Sequence, residues 1–174
     1  ALSAVDSLKD LKKCKYITVH ANGGLNMLKV IKKKAKQINK NLNVLGVTVL
    51  TSLNNRSLKE IGHTKTVEQL VLKQAGVVKK SGCDGIVCSA KEISLIKRKL
   101  GEDFMLVVPG IRLDEDNKND QKRTMSPKNA IDEGADLLVI GRPITESNEP
   151  KNTINKIVRV IILPLSLCSS VISY

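Results

Sequence analysis

The sequence predicts an α/β fold built from about five parallel βα units. Three observations carry this prediction. Five short runs are apolar almost throughout, a helical pattern follows each run, and polar or glycine residues stand where each run ends. Strands of parallel sheets are buried on both faces, which explains their continuous apolar character. The residues alone fit either a doubly wound open sheet or part of an eight-stranded barrel, and the length of 174 residues suits one domain.

Apolar runs bounded by turn signals define the predicted strands. They occupy residues 15–21, 43–51, 84–89, 104–109 and 136–140. Apolar residues spaced three and four apart define the predicted helices. These occupy residues 25–39, 52–61, 67–81, 91–100, 126–133 and 150–160. Ser126 and Pro127 have the residue types of an N-cap and a first helical position, so they mark the start of the helix at 126–133.

The net charge of +12 arises from 29 basic and 17 acidic residues, and most of the basic residues are lysines. The densest run places Lys32, Lys33, Lys36 and Lys40 around the apolar stripe of the helix at 25–39. This pattern predicts the solvated face of an amphipathic helix. A nucleic-acid surface is the less favoured interpretation, because aromatic residues for base stacking make up only 2% of the chain. The charge still predicts a general attraction for anions.

Several protein classes are disfavoured by the sequence. The four cysteines form no Cys-x-x-Cys pair and have no histidine at ligand spacing, which argues against a zinc site and a disulfide scaffold. The longest uncharged stretch, residues 160–174, is 15 residues long and too short to span a bilayer. The first 15 residues carry acids and show no signal-peptide pattern. We therefore expect a cytoplasmic protein with reduced thiols, no metal and no membrane partner.

Parallel strands bring their carboxyl ends to one edge of the sheet, where α/β folds place ligand sites. Gly141 and Arg142 follow the last strand directly, and Arg112 follows the strand before it. Glycine lets a ligand approach the backbone, and arginine offers two parallel N–H donors to a phosphate. Two arginines on successive strand ends favour an anion site, although a structural turn at Gly141 remains an alternative. Gln121, in the loop after Arg112, offers an amide to a phosphate or a polar ring edge.

Hydroxyl and imidazole groups end two earlier strands. Thr51 follows the second strand, where its hydroxyl either binds a ligand carbonyl or caps the next helix. His20 ends the first strand. No carboxylate or thiol accompanies it in the same motif, so a structural or ligand-orienting role is favoured over acid–base catalysis.

Five blocks of the chain resemble the bacterial orotidine 5′-phosphate decarboxylases, in the family's order and at nearly its spacing over residues 1–160. The blocks read TVHANGG (18–24), GVTVLTS (46–52), GCDGIVCSAKE (82–92), VVPGIR (107–112) and DQKRTMSPKNAIDEGADLLVIGRPIT (120–145). The resemblance implies a partial TIM-type (β/α)8 barrel in a dimeric, cofactor-free carboxy-lyase. Such an enzyme converts orotidylate to UMP and CO2 in de novo pyrimidine biosynthesis. By the same resemblance the substrate-binding residues are Thr51, Arg112, Gln121, Gly141 and Arg142.

The chain departs from that family at both ends. The family's catalytic Asp-x-Lys-x-x-Asp motif is absent from this sequence, so no catalytic residue is assigned in the chain. The resemblance places that motif, with barrel strands 1–3, before Ala1. It therefore predicts a decarboxylase domain at 1–160 that lacks strands 1–3, and a divergent apolar tail at 161–174 in which Pro164 stops any helix.

A chain of this kind is expected to bind phosphate but to be inactive and marginally stable alone, with dependence on the missing N-terminal half. The alternatives are a non-catalytic phosphate or nucleotide binder and a sugar-phosphate decarboxylase of the same suprafamily.

Overall fold

A computed structural model of the chain describes residues 2–7, 13–113 and 124–168. Its five strands form one parallel sheet in which each strand pairs with the next strand along the chain. The strands are β1 Tyr16–His20, β2 Asn43–Val47, β3 Gly85–Val87, β4 Met105–Val108 and β5 Leu137–Leu138. The prediction of about five parallel βα units is confirmed.

The strand order distinguishes between the two architectures left open by the sequence. A doubly wound sheet reverses its strand order at a switch point, which lets helices cover both faces. The order here is β1-β2-β3-β4-β5, without a reversal. A sheet that grows in one direction only is the arrangement found in a (β/α)8 barrel. The five described strands therefore form part of a barrel wall.

Eight helices accompany the strands in the described residues. They are α1 Leu2–Asp6, α2 Gly24–Ile38, α3 Asn55–Glu60, α4 Val67–Lys80, α5 Ile93–Leu100, α6 Pro127–Asp132, α7 Arg142–Thr145 and α8 Pro150–Cys168. Short 3-10 turns, Ala21–Gly23 and Ala90–Glu92, precede α2 and α5. The sequence pattern does not predict α1 or α7, and it extends each of the five strands by one to four residues at one or both ends.

Side-chain caps explain where several helices begin. The Asn54 side chain accepts a hydrogen bond from the Ser57 backbone at 2.9 Å, so α3 starts three residues later than predicted. Thr66 and Gln69 form a reciprocal capping box at the start of α4. Ser126 accepts from the Asn129 backbone with Pro127 at the first helical position, which confirms the predicted start of α6.

The core lies between the sheet and the helices. On the face of the sheet that meets the helices, three neighbouring strands each contribute a fully buried residue: Val44 from β2, Ile86 from β3 and Leu106 from β4. These residues belong to the same core as the apolar faces of α2 and α4. Gly46 has the tightest position in this layer, because a Cβ atom there would lie 2.3 Å from Cγ2 of Val78. The missing side chain is therefore what lets α4 lie directly on β2.

The opposite face of the sheet is covered in the centre and open at both edges. Leu45 and Val107 are buried, although neither belongs to the helix-facing core. Along β1 the alternate residues Tyr16, Thr18 and His20 are exposed, and beyond β5 Val139 is 52% exposed. Exposed strand residues at both edges are expected for a barrel wall whose first and last strands are not paired with each other.

Two Gly-x-Asp turns fix the register of the sheet. Gly82 and Gly134 have φ of 78° and 103°, the left-handed conformation that ends a helix. Two residues later, Asp84 accepts from the Val44 backbone at 2.7 Å and Asp136 accepts from the Leu106 backbone at 2.7 Å. The backbone N–H of Asp84 also donates to the Val44 carbonyl, and that of Asp136 donates to the Leu106 carbonyl, at 2.9 Å in both turns. Each aspartate thereby holds the neighbouring strand at both its N–H and its C=O.

The prediction of a solvated lysine face on α2 is wrong for Lys32, which is 7% exposed. Its ammonium group lies 2.5 Å from Oδ1 of Asp84 and is also bonded to Oδ2. Because Asp84 opens β3, this ion pair ties α2 to the strand entrance. A buried lysine is tolerated when a carboxylate compensates its charge, and the helical pattern gives no sign of a partner 52 residues away.

The expectation that Pro164 stops any helix is also wrong, because α8 continues to Cys168. Proline removes one N–H donor and crowds the preceding turn, which bends a helix without having to end it. The apolar run at the end of the chain is thus helical as far as residue 168.

We expect the Lys32–Asp84 pair to contribute more stability than the aspartate's backbone bond alone. Asp84→Asn keeps an oxygen for the Val44 N–H but leaves the buried Lys32 ammonium without its counter-ion, which should lower the free energy of unfolding by about 2–4 kcal/mol. Asp136→Asn is the matched control, because it makes the same change in the equivalent turn, where the aspartate has no ion pair among the described residues. It should lower the free energy of unfolding by less than about 1 kcal/mol. Urea denaturation followed by circular dichroism measures both, and equal losses would contradict the assignment.

Stability should also fall at alkaline pH because of Cys83. Burial raises the pKa of this thiol, against the opposing effect of the Ser81 hydroxyl 3.1 Å away. The folded chain therefore keeps the proton while the unfolded chain loses it at the ordinary pKa. The contribution is complete below about pH 8 and is lost as the pH rises through the folded-state pKa. Urea midpoints between about pH 7.5 and 10 should decline less in Cys83→Ala than in the wild type, and parallel declines would contradict this role of the thiol.

Candidate functional site

The candidate site lies along the carboxyl edge of the sheet. All five strands are parallel, so the segments that follow them emerge on the same side. The described residues predicted from the sequence all follow strands at this edge: Thr51 after β2, Arg112 after β4, and Gly141 and Arg142 after β5. The two arginines follow neighbouring strands, since β4 pairs with β5. Gln121 lies outside the described residues.

Arg112 is held firmly at the end of β4. Its backbone N–H donates to the Met125 carbonyl at 3.0 Å, next to a parallel bridge between Ile111 and Met125. Its guanidinium donates through Nη1 to the Ile111 carbonyl at 2.8 Å, and the residue is only 9% exposed. A guanidinium has five N–H donors. One bond to its own strand end fixes the group while leaving donors for an anionic acceptor.

Gly110, two residues before Arg112, has φ of 76°. A residue with a side chain is strained in this left-handed conformation, so glycine is required where the chain turns from β4 toward Arg112. The Pro-Gly-Ile-Arg segment is therefore a defined turn that places Arg112 after β4, at the carboxyl edge of the sheet.

Gly141 and Arg142 form a helix start and not the helix-ending turn that was the alternative. Arg142 opens α7, and the N–H groups of Ile144 and Thr145 donate to the Gly141 carbonyl at 2.8 and 3.0 Å. Gly141 has φ of −105°, and a Cβ built on it would meet no atom within 4 Å. Crowding among the described residues therefore does not account for a glycine here. The open space beside its backbone is accessible to a ligand.

Thr51 lies half-buried between β2 and α3. The sequence left a ligand contact and a helix cap as equal interpretations, and the cap of α3 is Asn54. Nearby, the buried Thr48 hydroxyl donates to the Val87 carbonyl at 2.9 Å and ties the ends of β2 and β3 together. Thr48 is thus a structural residue, while Thr51 retains the ligand-contact interpretation.

Glu92 is a buried carboxylate at the same edge that the sequence pattern does not single out. Its Oε2 accepts from the Ser89 backbone at 2.9 Å, and both residues are fully or almost fully buried. The Ser-x-x-Glu spacing of a capping box was the available signal. The box orders the turn after β3, so it supports the edge between the Thr51 and Arg112 segments.

His20 is exposed at the end of β1 and begins the 3-10 turn without a side-chain cap. The adjacent Asn22 accepts from Gln74 of α4 at 2.7 Å, which anchors this turn to the helix layer. In the ranges that the structure describes, no three His, Cys, Asp or Glu side chains are grouped as a metal site. No helix in those ranges is long and apolar enough to span a bilayer.

Comparison with known proteins gives consistent matches. The family model described as "Orotidine 5'-phosphate decarboxylase / HUMPS family" matches residues 4–157. Orotidine 5′-phosphate decarboxylase from Idiomarina loihiensis is 43% identical over 145 residues, which are 83% of this chain and 63% of that protein. The enzyme of the same name from Coxiella burnetii is 42% identical over 144 residues, covering 81% and 61%. The chain thus spans less than two thirds of the length of these relatives.

Solved structures resemble the chain as well. A crystal structure of orotidine 5′-phosphate decarboxylase from Lactobacillus acidophilus matches with a TM-score of 0.74 and 31% identity, over 92% of this chain and 68% of that one. An uncharacterized conserved protein from Geobacillus kaustophilus matches with a TM-score of 0.68 and 27% identity, over 91% and 70%.

We expect Arg142→Gln to weaken the binding of inorganic phosphate about tenfold or more, because a hydrogen bond to a charged group contributes about 1.5–3 kcal/mol. Arg159→Gln, which removes an exposed arginine of α8, is the matched control and should leave binding unchanged. NMR chemical-shift titration with phosphate measures both affinities. Equal effects of the two substitutions would indicate that phosphate follows the net charge and not this edge.

Proposed function

The chain belongs to the orotidine 5′-phosphate decarboxylase / HUMPS family, and from this membership we propose that it is the phosphate-binding part of an orotidylate decarboxylase. The complete enzyme would be a carboxy-lyase that converts orotidylate to UMP and CO2 in de novo pyrimidine biosynthesis. The observation that carries the proposal is the pair of arginine-bearing segments, at Arg112 and Arg142, on the neighbouring strands β4 and β5.

In this proposal the two arginines and Gly141 bind the 5′-phosphate. Arg112 is already oriented by its bond to the Ile111 carbonyl, and the space beside Gly141 admits an oxygen close to the backbone. Thr51 binds the pyrimidine ring, and Gln121 closes over the phosphate and the ring. Phosphate contacts remote from the reacting carbon supply binding energy that is used at the chemical step.

Decarboxylation itself requires groups that we do not find in this sequence. Loss of CO2 leaves an electron pair on C6 of the pyrimidine, which an ammonium group must stabilise and then protonate. The Asp-x-Lys-x-x-Asp motif implied by the family resemblance does not occur in the chain. We therefore propose that the chain binds the nucleotide without turning it over, and that a half-barrel carrying that motif completes the site.

The exposed edges of the sheet support this dependence on a complementary half. β1 has five residues with three exposed side chains, and β5 has only two residues. On α8, the apolar residues Ile154, Val158 and Ile162 are exposed at a spacing of four, so they form one uncovered stripe. A further set of βα units would pair with the strand edges and pack on this stripe.

Residues 1–160 constitute the decarboxylase domain and residues 161–174 an apolar tail in this proposal. Homodimer formation and a cytoplasmic location are also part of it and rest on the sequence resemblance. A non-catalytic nucleotide binder is the second candidate, and the absent motif favours it.

Loss of orotidylate absorbance should be undetectable with the purified chain. It should appear when a separately expressed N-terminal half of a homologous barrel, carrying the motif, is added. The same half with the motif lysine changed to alanine is the control and should restore no activity. In the active mixture, Arg142→Gln should raise KM about tenfold or more, by the charged hydrogen bond it removes.

The outcomes separate the two candidates. Turnover by the chain alone would contradict the assignment of the catalytic lysine to another half. UMP binding without activity in any mixture would favour the non-catalytic binder. The absence of both UMP binding and activity in every mixture would refute both candidates.

A further inference from the structure

Helix α2 contains five lysines, and the structure divides them into two groups. Lys32 is buried and bonded to Asp84. Lys34 lies 2.9 Å from Oδ1 of Asp6 in α1. The charges of these two lysines are compensated within the chain, so they add little to the external field of the helix.

The other three lysines form an uncompensated stripe. Lys29, Lys33 and Lys36 are exposed, and none of them makes an ion pair within the described ranges. Their spacing of four and then three residues places them on one face of α2, over about 10 Å of helix. Lys40 is exposed two residues beyond the end of the helix and adds a fourth positive charge nearby.

The surroundings of this lysine stripe contain few acids. Residues 11–59 include 11 lysines and arginines and neither aspartate nor glutamate. Helix α4 packs against α2 and adds the exposed Lys73 and Lys80, while its one acid, Glu68, stands in its first turn. Helix α1 also packs against α2, and its one acid, Asp6, is already paired with Lys34, so positive potential extends over α2 and α4 with few acids to cancel it.

We propose that the lysine stripe of α2 binds the phosphate backbone of a nucleic acid without sequence preference. Its three charges project at intervals of about 5–6 Å along a helix, and a polyanion with regular phosphates meets several of them at once. The stripe has lysines only, which bind phosphate as point charges and do not read base edges as arginine or asparagine would. The sequence alone favours a merely solvated face, and the structure adds the sorting of paired and unpaired lysines.

An anionic membrane fits this surface less well. A helix that lies in a bilayer interface inserts an apolar face. On α2 the apolar residues Leu28, Ile31 and Ala35 are buried in the core, and Val30 is the one large apolar residue exposed on the helix. The surface can therefore offer charge to a partner and almost no apolar area.

The lysine stripe is separate from the candidate phosphate site. Because β1, α2 and β2 follow one another with parallel strands, α2 runs back toward the amino edge of the sheet. Lys33, Lys36 and Lys40 lie toward the end of the helix at that edge. The arginines lie at the carboxyl edge, so the two surfaces can be tested independently.

The test is fluorescence anisotropy of a labelled duplex DNA and a labelled single-stranded RNA of about 20 nucleotides with the full chain, at roughly 50 to 200 mM salt. At the lowest salt concentration, the triple variant Lys29→Gln, Lys33→Gln, Lys36→Gln should bind both nucleic acids at least tenfold more weakly than the wild type. Its slope of log K against log salt on duplex DNA should fall by roughly 2–3, since each phosphate contact contributes about 0.9.

The matched control is Lys151→Gln, Lys156→Gln, Arg159→Gln, which removes three exposed basic residues from α8. Both triple variants lower the net charge equally, and only the α2 variant should lose affinity. Lys→Arg at the three α2 positions keeps the charge and should preserve binding, which separates charge loss from misfolding.

Three outcomes would overturn the proposal. They are equal losses from both triple variants, no binding by the wild type at the lowest salt, and tighter binding to phosphatidylserine vesicles than to either nucleic acid. Binding that survives Arg142→Gln is expected, since that arginine belongs to the other edge.

Discussion

Each Gly-x-Asp turn joins the end of one helix to the strand beside it, and the rest of the molecule depends on this junction. The left-handed glycines Gly82 and Gly134 end α4 and α6, and the aspartates that follow bind both backbone groups of Val44 and Leu106. A register set at the amino ends of β3 and β5 is carried along the parallel pairs to their carboxyl ends. The positions of the segments bearing Arg112 and Arg142 therefore follow from bonds made at the opposite edge of the sheet.

Burial of Lys32 extends the same junction into the helix layer. Its bond to Asp84 brings α2 to the entrance of β3, so one carboxylate holds a helix and a neighbouring strand. Lys34 is paired with Asp6, and the remaining lysines of α2, Lys29, Lys33 and Lys36, are exposed to solvent. The lysines of α2 therefore have different roles, since Lys32 stabilises the fold while the exposed lysines contribute surface charge. The sequence does not distinguish them, because the amphipathic pattern of the helix does not reveal which lysine meets a carboxylate.

The two edges of the sheet have different chemistry for a physical reason. Helix starts and strand ends meet at the carboxyl edge, where backbone N–H groups and arginines can surround an anion. Helix ends gather at the amino edge, where lysines are favoured by the helix dipole. Both surfaces are formed by segments of the five described βα units. Closure would concern the inner face and the side edges, where Tyr16, Val139 and the α8 stripe are exposed.

Much of this could be predicted from residues alone. Apolar runs and helical spacing predict the five strands and most helices, and the positions of Thr51, Arg112, Gly141 and Arg142 at strand ends follow from them, because these signals are local. The sequence cannot show that Asp84 pairs with Lys32, that Asn54 takes the cap role open to Thr51, or that α8 continues past Pro164. These outcomes depend on neighbours far along the chain or on competition between adjacent groups. The absence of the Asp-x-Lys-x-x-Asp motif is determined by the sequence itself. The choice of a barrel wall over a doubly wound sheet belongs to the tertiary structure, because only strand pairing reveals the order in which equivalent βα units assemble.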